Sequence, residues 1–201
     1  MPEEVFLSFP APSRDRVLPT TRVKGTWVAS AMRSLKASPY FEAYTRELDA
    51  ATLAAMLAAM PGDWLDIALL LTHYDACDRL AIPADQIALI ARETIHHAQG
   101  GVLAVSARAA SSIATPWTLL AQLHRFWHRL FMGGGAAVFK LGPKEARVEL
   151  VGFPGCRSLY CRISTRSIAQ TAFEFISRRA YVSELPRYKS SSSMALRVAW
   201  V

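Results

Sequence analysis

Apolar positions recur at helical spacing through the first two-thirds of the chain and at strand spacing in the last third. Trp27, Ala31 and Leu35 fall at i, i+4 and i+8, which predicts a first helix from about Val23 to Lys36, ended by Ser38-Pro39. Asp49 is placed to N-cap a second helix through Ala59, stopped by Pro61-Gly62. Asp63 reads as the cap of a third helix to about Leu80, and Pro83 as a first-turn residue of a fourth that runs at least to Gln99. Gly100-Gly101 either break that helix or are bridged by an Ala-rich continuation to Ser111. Thr115 caps a predicted helix over Pro116–Phe131, roughly 24 Å long at 1.5 Å per residue.

The period changes after Met132. Gly133-Gly134-Gly135 stops the last helix, and Ala136–Leu141 and Ala146–Val151 read as two strands joined by the turn chemistry of Gly142-Pro143-Lys144-Glu145. Arg147 and Glu149 alternate with Val148 and Leu150, which predicts that one face of this ribbon is wet. Ser164 or Thr165 is the expected cap of a helix to about Arg178. Ala195–Val201 reads as a final strand with Leu196, Val198 and Trp200 on one side. The predicted fold class is α+β: an N-terminal helical part, then a small antiparallel sheet with a packed helix. An extended N-terminal arm over 1–22 precedes a single domain over 23–201, helical over 23–131 and β-rich over 136–201.

A chain of 201 residues with 52% hydrophobic content has enough apolar surface for one core without covalent staples. Three cysteines, Cys77, Cys156 and Cys161, form an odd set, which argues against a disulfide scaffold and for a reducing, cytoplasmic setting. Met1-Pro2-Glu3-Glu4 lacks the basic-then-apolar order of a signal peptide. The most apolar stretch, Trp64–Tyr74, is short and carries Asp66 and His73, so it reads as a buried helix and no membrane is expected. The net charge of +7 is uneven: residues 1–100 hold 9 Lys/Arg against 12 Asp/Glu, a net of −3, and residues 101–201 hold 14 against 4, a net of +10. The excess in the second half favours acidic partners or anionic ligands, with a solvated basic surface as the plain alternative.

His124 and His128 stand at i, i+4 on a predicted helix, a spacing that lets two imidazoles converge. They also share a stripe with Trp117, Leu120 and Ala121, where an imidazole can sit as a hydrogen-bonded core residue, and no third metal ligand declares itself. His96 and His97 are neighbours about 100° apart around a helix and suit a helix-end role. Cys156 and Cys161 are either a redox-sensing pair, with thiol pKa values lowered by Arg157 and Arg162, or, as the favoured reading, two ordinary thiols in a loop and a strand. Gly133–Gly135 follows a helix and lacks the Lys-Ser/Thr of a phosphate loop. Arg157, Arg162, Arg166, Arg178, Arg179 and Arg187 either line an anion groove or are a scattered solvated set.

Three features carry a resemblance over Arg22 to Val182: Val23-Lys24-Gly25 opening the helical part, the long helix before the hairpin, and the run Tyr160 to Arg166 entering the last helix. In that order of parts the chain resembles a paralogous group of myxobacterial proteins of unknown function and, more distantly, the vinyl-reductase-like and haem nitric-oxide/oxygen-binding domains. The haem-binding family holds the propionates with a Tyr-x-Ser-x-Arg signature. Ser164-Thr165-Arg166 matches its end, but Tyr160 lies four positions before the serine where the family has two. That displacement takes the ring off the haem-facing side, so neither a cofactor nor a metal is expected.

With no complete catalytic set, the sequence leans away from an enzyme. It points to a sensor or adaptor domain in signalling, binding a small molecule or protein partner in an apolar pocket between helices and sheet. The alternative is an anion- or nucleic-acid-binding module built on the basic half. Tyr160, Arg162, Arg166, His124 and His128 are the candidate ligand-binding residues. A homodimer is among the expected assemblies.

Overall fold

The computed structural model describes residues 4–9, 13–98 and 115–201; the predicted break or continuation over 100–111 lies outside them. Among the described residues the chain begins with strand β1 (Glu4–Leu7), a 3-10 turn (Arg14–Arg16) and strand β2 (Arg22–Lys24). The N-terminal stretch is therefore extended but not free, because β1 pairs antiparallel with a strand of the main sheet. Helix α1 (Gly25–Lys36) starts two residues later than its apolar spacing predicts, since Val23 and Lys24 are held in β2. At the switch from strand to helix, the Gly25 N–H donates to the Asp63 carbonyl at 2.9 Å, and a Cβ there would run into the Met60 carbonyl.

Helix α1 buries Val28, Met32 and Leu35. Helix α2 (Phe41–Arg46) buries Tyr44 completely. Asp49 caps helix α3 (Ala50–Leu57) as expected, its carboxylate accepting from the Thr52 N–H at 2.8 Å. The predicted cap at Asp63 is overturned. Trp64–Asp66 form strand β3, paired with β2, and Asp66 instead caps helix α4 (Ile67–Arg79) by accepting from the Ala68 N–H at 2.8 Å. Pro83 leads into helix α5 (Ala84–Ala98).

Thr115 forms a reciprocal capping box with Thr118, but the helix it starts is not continuous. It divides at Gln122 into α6 (Pro116–Ala121) and α7 (Leu123–Leu130), and Phe131–Met132 leave it as strand β4 alongside β2. The hairpin is where the sequence places it, as β5 (Gly135–Gly142) and β6 (Glu145–Val151). Helix α8 (Leu159–Glu174) starts earlier than expected. Its cap is Ser158, which accepts from the Cys161 N–H at 3.1 Å, while the Asp78 carboxylate of α4 accepts from the Leu159 and Tyr160 N–H groups. Ser164 and Thr165 thus lie inside the helix. Strand β7 (Ala180–Glu184), absent from the sequence reading, and β8 (Ser193–Trp200) complete the chain.

The main sheet is antiparallel in the order β1-β5-β6-β8-β7, and the small sheet has the order β3-β2-β4. Register sets Val148 of β6 beside Val138 and Leu196, and Arg147 beside Phe139 and Arg197. Helix α8 packs on α5, α4, β7 and β8, so it lies between the helical half and the sheet. The architecture is the predicted α+β class. Among the described residues no helix is long and apolar enough to cross a membrane.

One expectation fails across the sheet. Arg147 and Glu149 are each only 4% exposed, not on a wet face. The Arg147 Nε donates to Glu149 at 2.8 Å, and its guanidinium lies 4.1 Å from the Phe139 ring centroid and 4.6 Å from that of Tyr188. Arg14 approaches Glu149 at 3.8 Å. The segments around Arg14 and Tyr188, remote in sequence, close this face.

Candidate functional site

The opposite face of the sheet does not meet the helices without a gap. A cavity of about 200 Å³ lies there, floored by Val148, Leu150, Leu196 and Val198. Helix α8 contributes Thr165, Ile168, Ala169 and Ala172. Thr165, Ala169 and Ala172 share one helical face by their spacing, and their small side chains leave space that Leu or Phe would take. Trp27 of α1, Tyr74 of α4 and Ile95 of α5 enter from the helical half. Leu119, Leu123, Phe126 and Trp127 enter from α6 and α7, with Phe131 and Phe153 beside them.

Several of these aromatic walls hold one another. Trp127 and Phe153 meet edge-on at 5.5 Å and 89°, and Phe131 and Phe153 are tilted at 5.1 Å and 57°. The Trp127 indole N–H donates to the Gly133 carbonyl at 2.9 Å, which pins that ring to the triple glycine. Gly133 and Gly134 both have positive φ, and a Cβ on them would strike Pro19 and Thr20 respectively. That close approach is the role of the glycine run. Gly142, in the hairpin, has no positive φ.

Among the described residues that line the cavity there is no His, Cys, Lys, Arg, Asp or Glu. Its polar side chains are the Tyr74 phenol, the Thr165 hydroxyl and the two indoles. Burial raises the Tyr74 phenol well above its ordinary pKa, so it is a neutral hydrogen-bonding group.

Behind Tyr74 lies a buried polar cluster. The Tyr44 hydroxyl is 2.9 Å from His73 Nδ1, and it lies 3.0 Å from Met56 Sδ and 3.6 Å from Met32 Sδ. The Tyr160 ring stands edge-on to His73 at 5.7 Å, and Cys77 Sγ is 4.0 Å from His73 Nδ1. Burial lowers the His73 pKa to about 4, which leaves the imidazole neutral at pH 7. Among the described residues, His73 Nε2 and Ser164 Oγ are buried without hydrogen-bond partners.

The cysteines are ordinary buried thiols, as the plainer expectation holds, but their places differ from the predicted loop and strand: Cys156 lies in a 3-10 turn (Pro154–Arg157) and Cys161 in the first turn of α8. Burial outweighs the charge of Arg162 and raises both thiols, Cys161 to about 12. Cys77 is raised as well. None is a thiolate at neutral pH, so they behave as small apolar side chains.

None of the five sequence-predicted site residues lines the cavity. Tyr160 belongs to the polar cluster. Arg162 is turned into the scaffold, donating to the Cys156, Arg157 and Ser158 carbonyls and pairing with Glu184 at 3.3 Å. Arg166 is half-buried. His124 is half-buried and His128 exposed on α7, while Leu123, Phe126, Trp127 and Leu130 of that helix face the cavity. The break at Gln122 separates both histidines from the stripe of Trp117 and Leu120. No group of three metal-ligating side chains occurs among the described residues.

No protein-family model matches the chain, and no curated protein does. Solved structures do. An oxygen-binding H-NOX domain related to soluble guanylate cyclases is 10% identical, with a TM-score of 0.60 over 88% of this chain and 94% of that one. A Cs H-NOX variant carrying 4-cyano-L-phenylalanine is 11% identical, with a TM-score of 0.62 over 88% and 96%. The Fe(II) unliganded H-NOX protein from K. algicida is 8% identical, with a TM-score of 0.58 over 89% and 96%. The chain therefore has an H-NOX-like fold. At this identity the likeness extends to the fold alone.

Proposed function

We propose that this chain is a non-enzymatic sensor or adaptor domain that binds a small molecule in the cavity between α8 and the sheet. The observation that carries the reading is the apolar pocket itself, walled by side chains from both the helices and the sheet with few polar groups, the usual character of a small-molecule site. Fold likeness to H-NOX domains, among them an oxygen-binding one, supports a sensory role. A route for the signal is also present. Helix α4 carries both Tyr74, a cavity wall, and His73, which holds Tyr44 of α2, so displacement of Tyr74 acts on the anchor of the helical half.

Work on the H-NOX family concerns haem, and the residues here do not fit that group. A haem iron takes a His, Cys, Met or Tyr ligand. Of these the described walls offer only Tyr74, a phenol held neutral by burial, and among the described lining residues there is no cation for the propionates. The anion- or nucleic-acid-binding reading also loses support, because several cations of the basic half are engaged by carboxylates. Arg157 meets Asp75 at 2.8 Å, Arg162 meets Glu184, and Arg197 meets Glu145.

Native mass spectrometry of freshly purified protein, combined with a haemin titration, tests the proposal. The expected outcome is a one-to-one small-molecule adduct that Ala172→Trp removes, with no Soret shift on adding haemin. A haem spectrum from stoichiometric binding, or an adduct indifferent to Ala172→Trp, would contradict it.

A further inference from the structure

We infer that the ligand is an uncharged aromatic molecule of one or two rings bearing at most one hydrogen-bonding group. This rests on the reading of the cavity as the ligand site and adds the chemical class. Three properties of the walls define that class.

Size comes first. An engineered apolar cavity of about 150 Å³ stays dry and takes up benzene or xenon. The present space of about 200 Å³ is larger by part of a ring, so it admits a benzene, indole or naphthalene skeleton.

Charge comes second. With no Lys, Arg, His, Asp or Glu among the described lining residues, nothing in these walls compensates a carboxylate or an ammonium group. An ion transferred into such surroundings loses its hydration and gains no partner. The ligand is therefore neutral.

Shape and polarity come third. Trp27, Phe126, Trp127, Phe131 and Phe153 line much of the space. Existing wall pairs such as Trp127 with Phe153 are edge-on, which is the arrangement an added ring can extend. The hydroxyls of Tyr74 and Thr165 lie on the helical side, where one donor or acceptor of the ligand finds a partner. Thr165 Oγ1 meets the Cys161 sulfur at 3.9 Å, a weak hydrogen bond that a ligand oxygen or nitrogen can replace.

Titration calorimetry with the full chain tests the class, using naphthalene, indole, and indole-3-acetate as the charged comparator. Naphthalene and indole are expected to bind at one site, and indole-3-acetate about 100-fold more weakly than indole, from the uncompensated charge. Ala172→Trp is expected to abolish binding. Should that variant fail to fold, Tyr74→Phe combined with Thr165→Val is the second: it is expected to weaken indole about fivefold, the value of one lost hydrogen bond, and to leave naphthalene unchanged. Equal or tighter binding of indole-3-acetate would overturn the inference. So would failure of both neutral rings to bind while native mass spectra still show an adduct removed by Ala172→Trp, although the small-molecule reading would survive. Absence of both ring binding and adduct would remove the inference and the proposed function together.

Discussion

The two faces of the main sheet are built from alternate residues of the same strands, yet they are completed in different ways. On one face Arg147 and Glu149 are sealed by Phe139, Tyr188 and Arg14, and the polar groups are satisfied inside the structure. On the other, Val148 and Leu150 face small side chains of α8 across open space. A face finished with paired charges and stacked rings is scaffold, because removing any part leaves another part stranded. A face of apolar walls around a gap lacks dispersion contacts that a bound molecule can supply. The location of function follows from that difference.

The comparison is strained hardest by cutting the ion pair on the sealed face. Glu149→Ala removes the buried carboxylate that Arg147 Nε meets at 2.8 Å and is expected to cost about 3 kcal/mol in urea unfolding. Replacing both, as Arg147→Met with Glu149→Leu, is expected to recover most of that loss. If the single substitution is as mild as a surface change, the face is not sealed as described.

Acid probes the polar cluster behind the cavity. His73 ordinarily titrates near 6.5, and burial lowers it to about 4 in the folded chain. As pH falls the unfolded chain takes up the proton first, so this contribution is complete above pH 6.5 and is lost between 6.5 and about 4. The difference amounts to about 3 kcal/mol. In His73→Phe the change in unfolding free energy between pH 7 and pH 4.5 is expected to be smaller than in the wild type. An identical pH dependence would mean that His73 is not held neutral.

A gentler test enlarges one alanine on each face. Ala137 is fully buried beside Glu149 in register, and Ala137→Leu is expected to cost about 1–3 kcal/mol by overpacking. Ala169→Leu points into the cavity and is expected to be neutral or to stabilise by up to about 1 kcal/mol. Equal costs would show that the two faces are packed alike.

Elements whose signals are local were legible in the sequence. Asp49, Thr115 and the Gly142–Glu145 hairpin turn appear where their side chains and turn residues placed them. The failures share a cause, which is pairing between distant segments. Trp64 and Leu65 follow a good capping residue, but their partners are Lys24 and Val23, so Asp63 lost its helix to Asp66. The alternation of Arg147 with Val148 correctly separates two faces and cannot report that residues near 14 and 188 cover one of them. The cap of α8 was misplaced because Asp78, supplied from α4, holds its first N–H groups. As for the site, an apolar pocket between helices and sheet was foreseen, but its walls were not. The conspicuous cations and imidazoles at Arg162, His124 and His128 drew attention from Thr165, Ala169 and Ala172, whose significance is the space they leave.

The most direct measurement of the central claim is a crystal structure of the chain under xenon pressure. Xenon needs only an accessible apolar void and therefore reports the cavity independently of ligand identity. The expected result is xenon between Tyr74, Leu150 and Phe153 in the wild type and none there in Ala172→Trp, with the sealed face around Arg147 empty in both. A fully packed interior with no xenon at that position would contradict the account.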